Sequence, residues 1–383
     1  MEHKLANGIL SIALEGELNS QNAAEKEGEI NQVLEKNAFS SLILDLAKLT
    51  YISSAGLRVV LKLRQSAKEF KIINASLEVY EIFEMTGFTS MMEIKKALKE
   101  IDVSKAELIG EGYFSYVYRL DKDTIIKVFK HAQDTSEVER ELNMAKQAFV
   151  LGIPTAISFD IVKVGDKFGV RFEMLDCKSL RDLFRDEPKR FDGLMDKYAA
   201  LFKHIGETES ESDALPDMKK VFMGKLDFIA SDLDEKSRKS LREYLQSIPD
   251  RTTFIHGDCH VKNIMVRDDE FFLIDMDTLS KGHPIFEDAL VYCPYVAFEE
   301  DQPGNSLDFL GLSADMTKEI FDRLMKVALG KDYGEAALDK IKILAYVHMM
   351  WWTKKNTPED EKRFSGSRGR LLSLLGKYPN LRF

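Results

Sequence analysis

The sequence predicts a two-domain protein: an α/β layer domain, then a larger α+β domain with a small sheet lobe and a large helical lobe. Three observations carry this. Over the first hundred residues, short apolar runs alternate with amphipathic helical segments, the pattern of an α/β layer architecture. Near Lys95 the pattern gives way to a polar, charged stretch, KKALKEIDVSKAE. Beyond it the chain restarts with a glycine-rich turn and several strands, followed by long helical composition to Phe383.

The 383 residues suit two domains at roughly 100–200 residues each. Hydrophobic residues make up 44% and charged residues 31%, enough apolar material for real cores. A net charge of −10 disfavours nucleic acid and anionic membranes as partners unless a basic patch offsets it. Lysines and arginines are instead interspersed with acids, as from Glu137 to Lys146. Cys177, Cys259 and Cys293 form no metal-ligand spacing, and their odd number argues against a disulfide framework. The N-terminus lacks a signal-peptide pattern, and no run approaches the ~20 apolar residues of a membrane span. A reduced, cytoplasmic protein is expected.

In the first domain, Ile9 to Leu14 reads as a strand and Ser20 to Lys36 as a helix. Leu42 to Leu46 is a continuous apolar run and is expected to be a buried strand. Leu57 to Phe70 reads as a helix, with Leu57, Val60, Leu61 and Arg64 spaced at three and four. Lys71 to Asn74 is a short strand and Val79 to Met85 a helix. The charged stretch after Lys95 reads as a linker that could carry a helical turn. The domains are expected at 1–100 and 104–383, with the sheet lobe of the second at about 104–175 and its helical lobe at about 176–383.

In the second domain, Ala106 to Val128 reads as strand–turn–strand–strand. Ser136 to Leu151 is a helix, stopped by Gly152-Ile153-Pro154. Ile157 to Val164 and Phe168 to Met174 are strands joined by the turn Gly165-Asp166-Lys167. Leu180 to Gln246 is almost wholly helical in composition. Thr253 to Asp277 holds two apolar runs around a polar loop, and the remainder is again mainly helical.

Four separated elements carry chemistry. The first is Ile109-Gly110-Glu111-Gly112-Tyr113-Phe114-Ser115, where glycines let backbone N–H groups approach phosphate oxygens. The second is Lys127 in the apolar run Ile125-Ile126-Lys127-Val128; a lysine inside a strand calls for a partner. The third is Glu141 on the next helix, a candidate partner that competes with Glu137, Glu139 and a plain charged helix face. The fourth is His256-Gly257-Asp258-Cys259-His260-Val261-Lys262-Asn263, followed by Ile274-Asp275-Met276-Asp277.

Together these resemble the aminoglycoside phosphotransferase and choline kinase group of the protein-kinase-like fold. The resemblance implies ATP and Mg²⁺ as cofactors. It implies that Gly110, Gly112 and Ser115 cover the phosphates and that Lys127, braced by Glu141, holds the α- and β-phosphates. Ser115 stands where protein kinases have a third glycine. Asp258 would orient the acceptor hydroxyl and take its proton. Asn263 and Asp275 would bind the metal, assisted by Asp277. Backbone groups of Glu173 and Leu175 would read the adenine edge, although Cys177 stands where the family often has glycine. Asp288 would brace the catalytic loop. His256 and His260 invite a zinc reading, but a scaffold role for His256 is the simpler account.

The loop has His-Gly-Asp rather than His-Arg-Asp, and no Asp-Phe-Gly or Ala-Pro-Glu segment follows. This favours a small-molecule hydroxyl as acceptor. Glu299, Glu300 and Asp301 are either a cation-attracting cluster or a solvated acidic turn. Trp351 and Trp352 are neighbours on a helix, so at most one faces any pocket, and core packing is the expectation.

Residues 1 to 98 resemble the STAS domain of anti-sigma-factor antagonists. The match rests on Gly16-Glu17-Leu18, Leu42 to Leu46, Tyr51-Ile52-Ser53-Ser54-Ala55-Gly56-Leu57 and Glu84-Met85-Thr86-Gly87-Phe88. The serine phosphorylated in such antagonists matches Ser54; the aspartate that often precedes it is Ser53 here. Ser54 is expected at a helix N-terminus, where a hydroxyl caps N–H groups and a phosphate is favoured by the dipole. Regulation and plain capping are both open.

The expected activity is ATP-dependent transfer of a phosphoryl group to a small-molecule hydroxyl, with the STAS module regulating it or binding a protein partner. The alternatives are a signalling protein that phosphorylates a protein serine, Ser54 among the candidates, and an antagonist-like binding scaffold.

Overall fold

The structure is a computed structural model that describes every residue except Tyr113 and Gln133. It divides into two compact units, Met1–Ile101 and Asp102–Phe383.

The first unit is one sheet with three crossover helices. Its elements are β1 (His3–Ala6), β2 (Ile9–Leu18), α1 (Ala23–Lys36), β3 (Ser41–Ile52), α2 (Ser54–Gln65), β4 (Glu69–Ala75), α3 (Leu77–Met85) and β5 (Glu93–Lys96). The strand order is β1-β2-β3-β4-β5. Only β1 and β2 pair antiparallel; the other pairs are parallel, which requires the intervening helices as crossovers.

The apolar run of β3 is not buried throughout. Leu42, Leu44 and Leu46 are buried, whereas Ile43 and Asp45 are half-buried. The same alternation in β2 sends Leu10, Ile12 and Leu14 inward. They join a core with Ile30 of α1, Val60 of α2 and Phe83 of α3.

Two first-unit expectations need correction. The helix read to Phe70 ends at Gln65, because the Ser66 hydroxyl donates to Leu63 O at 2.7 Å and the polar 66–68 segment lets β4 begin at Glu69. The start of the expected linker is strand: β5 pairs with β4, and half-buried Ile94 packs on the core. A two-residue strand, β6 (Lys99–Glu100), follows.

The second unit begins with β7 (Glu107–Glu111), β8 (Ser115–Arg119), β9 (Thr124–Phe129), α4 (Ser136–Val150), β10 (Ser158–Val164) and β11 (Lys167–Glu173). The strands pair antiparallel in the order β7-β8-β9-β11-β10. Helix α4 ends as the sequence indicates. Gly152 is left-handed at φ +78°, and Ile153 N–H reaches Ala148 O at 3.1 Å, the paired closure of a glycine-stopped helix.

Next come β12 (Lys178–Ser179) and the helices α5 (Leu180–Asp186), α6 (Phe191–Glu207), α7 (Met218–Phe228) and α8 (Glu235–Ser247). Two small sheets follow, built from β13 (Thr253–Ile255), β14 (Ile264–Arg267), β15 (Glu270–Leu273) and β16 (Ser280–Gly282). Their orders are β12-β14-β15 and β13-β16. Helices α9 (Ile285–Tyr292), α10 (Phe298–Asp301), α11 (Asn305–Leu310), α12 (Ala314–Leu329), α13 (Glu335–Asn356) and α14 (Glu361–Lys377) complete the unit. One large core joins α6, α7, α9, α12 and α13 beneath the two small sheets. It gives the loops after β13 and β15 a rigid floor.

Candidate active site

Strand β9 buries Ile126 and Val128 on one side, which turns Lys127 to the other. There the Lys127 ammonium lies 2.9 Å from Glu141 Oε1 and 2.6 Å from Asp275 Oδ1. Glu141 is 2% exposed, on the inner face of α4. Its competitor Glu139 instead accepts a hydrogen bond from Thr135 Oγ1 at 2.6 Å. Burial alone would lower the Lys127 pKa, but the carboxylates of Asp275 and Glu141 outweigh it and hold the lysine above its ordinary range. Burial raises the Asp275 pKa, yet Lys127 wins and keeps it ionised. Asp277 is pushed up to about 7, by burial and then by Asp275. Asp275 itself is left-handed at φ +68°, an uncommon backbone for a non-glycine residue and a mark of functional loops.

The loop after β13 is held from every side. His256 is fully buried; its Nδ1 accepts the Asp258 N–H at 3.2 Å and its Nε2 meets Ile274 O at 3.1 Å. That fixes the neutral, Nε2-protonated tautomer, and burial lowers the imidazole pKa to match. Thr278 Oγ1 donates to His256 O at 2.7 Å. Gly257 has φ +85°, and a Cβ there would meet Thr278 at 3.0 Å, so the turn requires glycine. Tyr198 donates to Cys259 O at 2.7 Å, and Tyr295 accepts the Val261 N–H at 2.9 Å. Burial raises the Cys259 thiol well above its ordinary pKa, the opposite of an activated nucleophile.

This scaffold presents Asp258. Its Oδ2 accepts from Asn263 Nδ2 at 2.8 Å, and its Oδ1 lies 3.3 Å from His260 Nε2. The Asn263 amide nitrogen is thereby committed to Asp258, leaving its amide oxygen without that partner.

The loop brace differs from expectation. Glu287, not Asp288, reaches the catalytic loop: its Oε2 accepts the Gly257 N–H at 2.9 Å. The two acids are adjacent on α9, so they leave the helix about 100° apart and only one points at the loop. Tyr198, Tyr295 and Glu287 went unrecognised in the sequence, where each reads as ordinary helix.

In the glycine-rich turn, Gly112 N–H donates to Ser115 O at 2.9 Å, and Lys130 Nζ donates to Gly112 O at 2.8 Å. Cβ atoms at Gly110 and Gly112 would make only ordinary contacts, the nearest at 3.5 and 3.7 Å, so neither glycine answers an internal clash. Ser115 is buried. Tyr113, within this motif, lies outside the described residues. At the end of β11, Glu173 N–H donates to Ile157 O and Met174 N–H to Asp123 O, each at 2.8 Å. Cys177 Sγ donates to Leu175 O at 3.1 Å, so the thiol that replaces the glycine tethers the segment.

The acidic cluster is tied to partners within the chain, although Glu300 stays exposed. Glu299 accepts the N–H groups of Gly304 and Ser306 at 2.8 and 3.0 Å. Glu300 accepts the hydroxyls of Tyr292 and Tyr346 at 2.6 and 2.7 Å. Asp301 pairs with Arg370 and Arg363. Trp351 does face a cation, an internal one: Lys225 Nζ lies 4.8 Å from its ring.

Ser54 is exposed at the first position of α2, but the cap is Ser53, whose side chain accepts the Gly56 N–H at 3.4 Å. Gly56 is needed for close approach, since a Cβ would lie 2.6 Å from Leu18 O.

A small antiparallel sheet over a helical body, with a lysine–glutamate–aspartate triad facing an Asp–Asn loop, defines a phosphotransferase of the kinase-like class. The chain belongs to the phosphotransferase enzyme family, whose sequence profile matches residues 105–311; the STAS domain profile matches residues 1–101. The fold is similar to crystal structures of a thermostable mutant of aminoglycoside phosphotransferase APH(4)-Ia. The apo form gives a TM-score of 0.50 at 11% identity over 72% of this chain and 94% of that one. A ternary complex with AMP-PNP and hygromycin B gives 0.51 at 11% identity over 71% and 93%. The first unit is similar to BtrV of Bordetella bronchiseptica, a protein named as a putative anti-sigma factor antagonist: 40% identical over 92 residues, 23% of this chain and 78% of that protein. It is also similar to the anti-sigma F factor antagonist of Paenibacillus polymyxa, 25% identical over 111 residues, 27% of this chain and 93% of that one. No helix among the described residues is long and apolar enough to cross a membrane.

Proposed function

We propose that this chain transfers the γ-phosphoryl group of ATP to a hydroxyl of a small molecule, and that its STAS module regulates that activity through a protein partner. The observation that carries the reading is the Lys127 ammonium, 2.9 Å from buried Glu141 and 2.6 Å from Asp275. Burying Lys127 and Glu141 costs desolvation that their pairing need not repay, so the arrangement is better explained by the need to aim the ammonium than by stability. Phosphates of a nucleotide under Gly110, Gly112 and Ser115 fit that role, with the adenine edge read by backbone groups of Glu173 and Leu175.

Mg²⁺ fits the donor set. Asp275, Asp277 and the Asn263 amide oxygen are hard oxygen ligands, and Asp277, raised to about 7 by burial and then by Asp275, is a carboxylate that a cation would keep ionised. When bound, the metal neutralises charge on the transferring phosphates. The chain's own residues do the rest. Asp258 orients the acceptor hydroxyl and takes its proton as the acceptor oxygen bonds to the γ-phosphorus and the β–γ bridging bond breaks toward ADP.

The test is incubation of the full chain with Mg²⁺ and labelled ATP, with and without hydroxyl acceptors, beside Asp258→Ala. Label on a soluble acceptor, lost in the variant, supports the reading. ATP affinity that is unchanged in Lys127→Met, with no transfer to anything, overturns it. A second reading is favoured by the exposure of Ser54, whose hydroxyl does not serve as the helix cap: the kinase unit phosphorylates a protein serine, here Ser54. Label on Ser54 that disappears in Asp258→Ala supports it.

A further inference from the structure

Asp258 has two faces. Its Oδ2 is engaged by Asn263, on the side of the candidate metal ligands. Its Oδ1 turns toward His260, 3.3 Å away, and is the oxygen left for an acceptor hydroxyl. The groups around that face therefore choose the acceptor.

They do not suit a polycation. The His260 ring packs edge-on against Phe309 of α11, with centroids 5.4 Å apart. The Lys262 ammonium lies 4.6 Å from the centroid of the same Phe309 ring. Arg181 stands on the other side of Val261, its backbone N–H donating to Val261 O at 3.0 Å. Gly311, which ends α11, lies against the Arg181 side chain, 3.6 Å from where a Cβ would be. Two cations thus flank the loop beside one partly exposed aromatic.

Their neutralisation is incomplete. Arg181 pairs with Asp182, which Arg185 also engages. Among the described residues, no carboxylate lies within ion-pair distance of half-buried Lys262. The acids that might have offset this charge, Glu299, Glu300 and Asp301, are committed to backbone, tyrosine and arginine partners. The single acid of α11, Asp308, is exposed.

We propose that Lys262, backed by Arg181, is the acceptor-specificity residue of this phosphotransferase, and that the acceptor is a hydroxyl compound carrying a carboxylate or phosphate rather than an amino-sugar. The inference rests on the phosphotransfer reading above. The anionic group pairs with Lys262, its carbon skeleton lies on Phe309, and its hydroxyl points at Asp258. The acceptor oxygen bonds to the γ-phosphorus, ADP leaves with the bridging oxygen, and the hydroxyl proton goes to Asp258.

The experiment assays the full chain with Mg²⁺–ATP against two panels, hydroxy acids with sugar phosphates, and amino-sugars including kanamycin. It compares wild type with Lys262→Gln and Lys262→Glu. Turnover of an anionic acceptor is expected. Lys262→Gln should raise the KM for that acceptor about tenfold or more, with kcat changed far less, as loss of a charge-assisted contact implies. Lys262→Glu should weaken it further and shift preference toward amino-sugars. Three results overturn the inference: wild-type preference for amino-sugars, a Lys262→Gln defect confined to kcat, or transfer to neither panel. In the last case the phosphotransferase reading is judged separately, by Mg²⁺–ATP binding and hydrolysis in wild type against Asp258→Asn. A carboxylate and a phosphate source are separated by which half of the anionic panel turns over.

Discussion

Glu287 Oε2 accepts the backbone N–H of Gly257 at 2.9 Å, so a buried carboxylate on α9 sets the turn that presents Asp258. Burial pushes Glu287 up to about 7, against the pull of the loop N–H groups it accepts. Glu287→Gln keeps an acceptor oxygen of the same reach and should cost less than about tenfold in kcat. Glu287→Ala frees the turn, and a displacement near 1 Å at the reacting oxygen costs about a hundredfold. Steady-state kcat in the two variants, measured beside ATP affinity, checks this. Equal losses in both would mean that the charge matters and the turn geometry does not.

Lys127 is the only cation within ion-pair distance of buried Glu141 among the described residues. Lys127→Met leaves that carboxylate and Asp275 facing each other without a counter-charge. Breaking a buried pair in this way costs about 3–5 kcal/mol. The double variant Lys127→Met/Glu141→Leu removes both charges and should recover much of that stability without recovering ATP binding. Thermal melts and nucleotide titration of the single and double variants separate the two effects.

What could be read from the sequence follows from how local each signal is. Lys127, Asp258, Asn263 and Asp275 sit in short segments whose spacing sets their relative positions, and the fold brings all four together. Glu141 could not be separated from Glu137 and Glu139 by spacing, because helix phase relative to β9 is a tertiary fact. The same ambiguity misassigned the brace to Asp288 when its neighbour Glu287 points at the loop. Glu299, Glu300 and Asp301 read as either a cation-attracting cluster or a solvated acidic turn, because Tyr346, Arg363 and Arg370, the partners of Glu300 and Asp301, lie far along the chain. Strand β5 was missed because, as a sheet edge of four residues, it offers only Ile94 as an apolar signal.

The start of α2 separates capping from modification. Ser53 accepts the Gly56 N–H and is the cap, so Ser53→Ala should cost about 1 kcal/mol. Ser54 is exposed and bears no cap, so Ser54→Ala should stay within about 0.5 kcal/mol. Gly56→Ala would place a methyl 2.6 Å from Leu18 O, the same carbonyl that accepts the Ser53 N–H at 2.9 Å. Overpacking of that kind costs about 1–3 kcal/mol. Amide hydrogen exchange of β2 and β3 in the three variants should rank Gly56→Ala as least protected and Ser54→Ala as close to wild type.

Lys225 gives the second unit a pH dependence of definite sign. Its ammonium is buried, 2.8 Å from His348 Nδ1, 4.5 Å from the Phe222 ring and 4.8 Å from the Trp351 ring. Burial drives its pKa down to about 7 from an ordinary 10.5; Cys293 opposes slightly and Lys355 adds to the fall. His348 is pushed well below its ordinary value, by burial and then by Lys225, so it stays neutral across this range. Between pH 7 and 10.5 the unfolded lysine holds a proton that the folded one has released. Stability therefore rises with pH through this window, by up to about 1.4 kcal/mol per pH unit, and is lost again as pH falls toward 7. Lys225→Met combined with His348→Phe removes the titrating group and its partner together, leaving no orphaned imidazole nitrogen. Melting temperatures of wild type minus those of the double variant should climb from about pH 7 to about 9 and level off below about 7. Parallel curves would mean that Lys225 keeps its proton in the folded state.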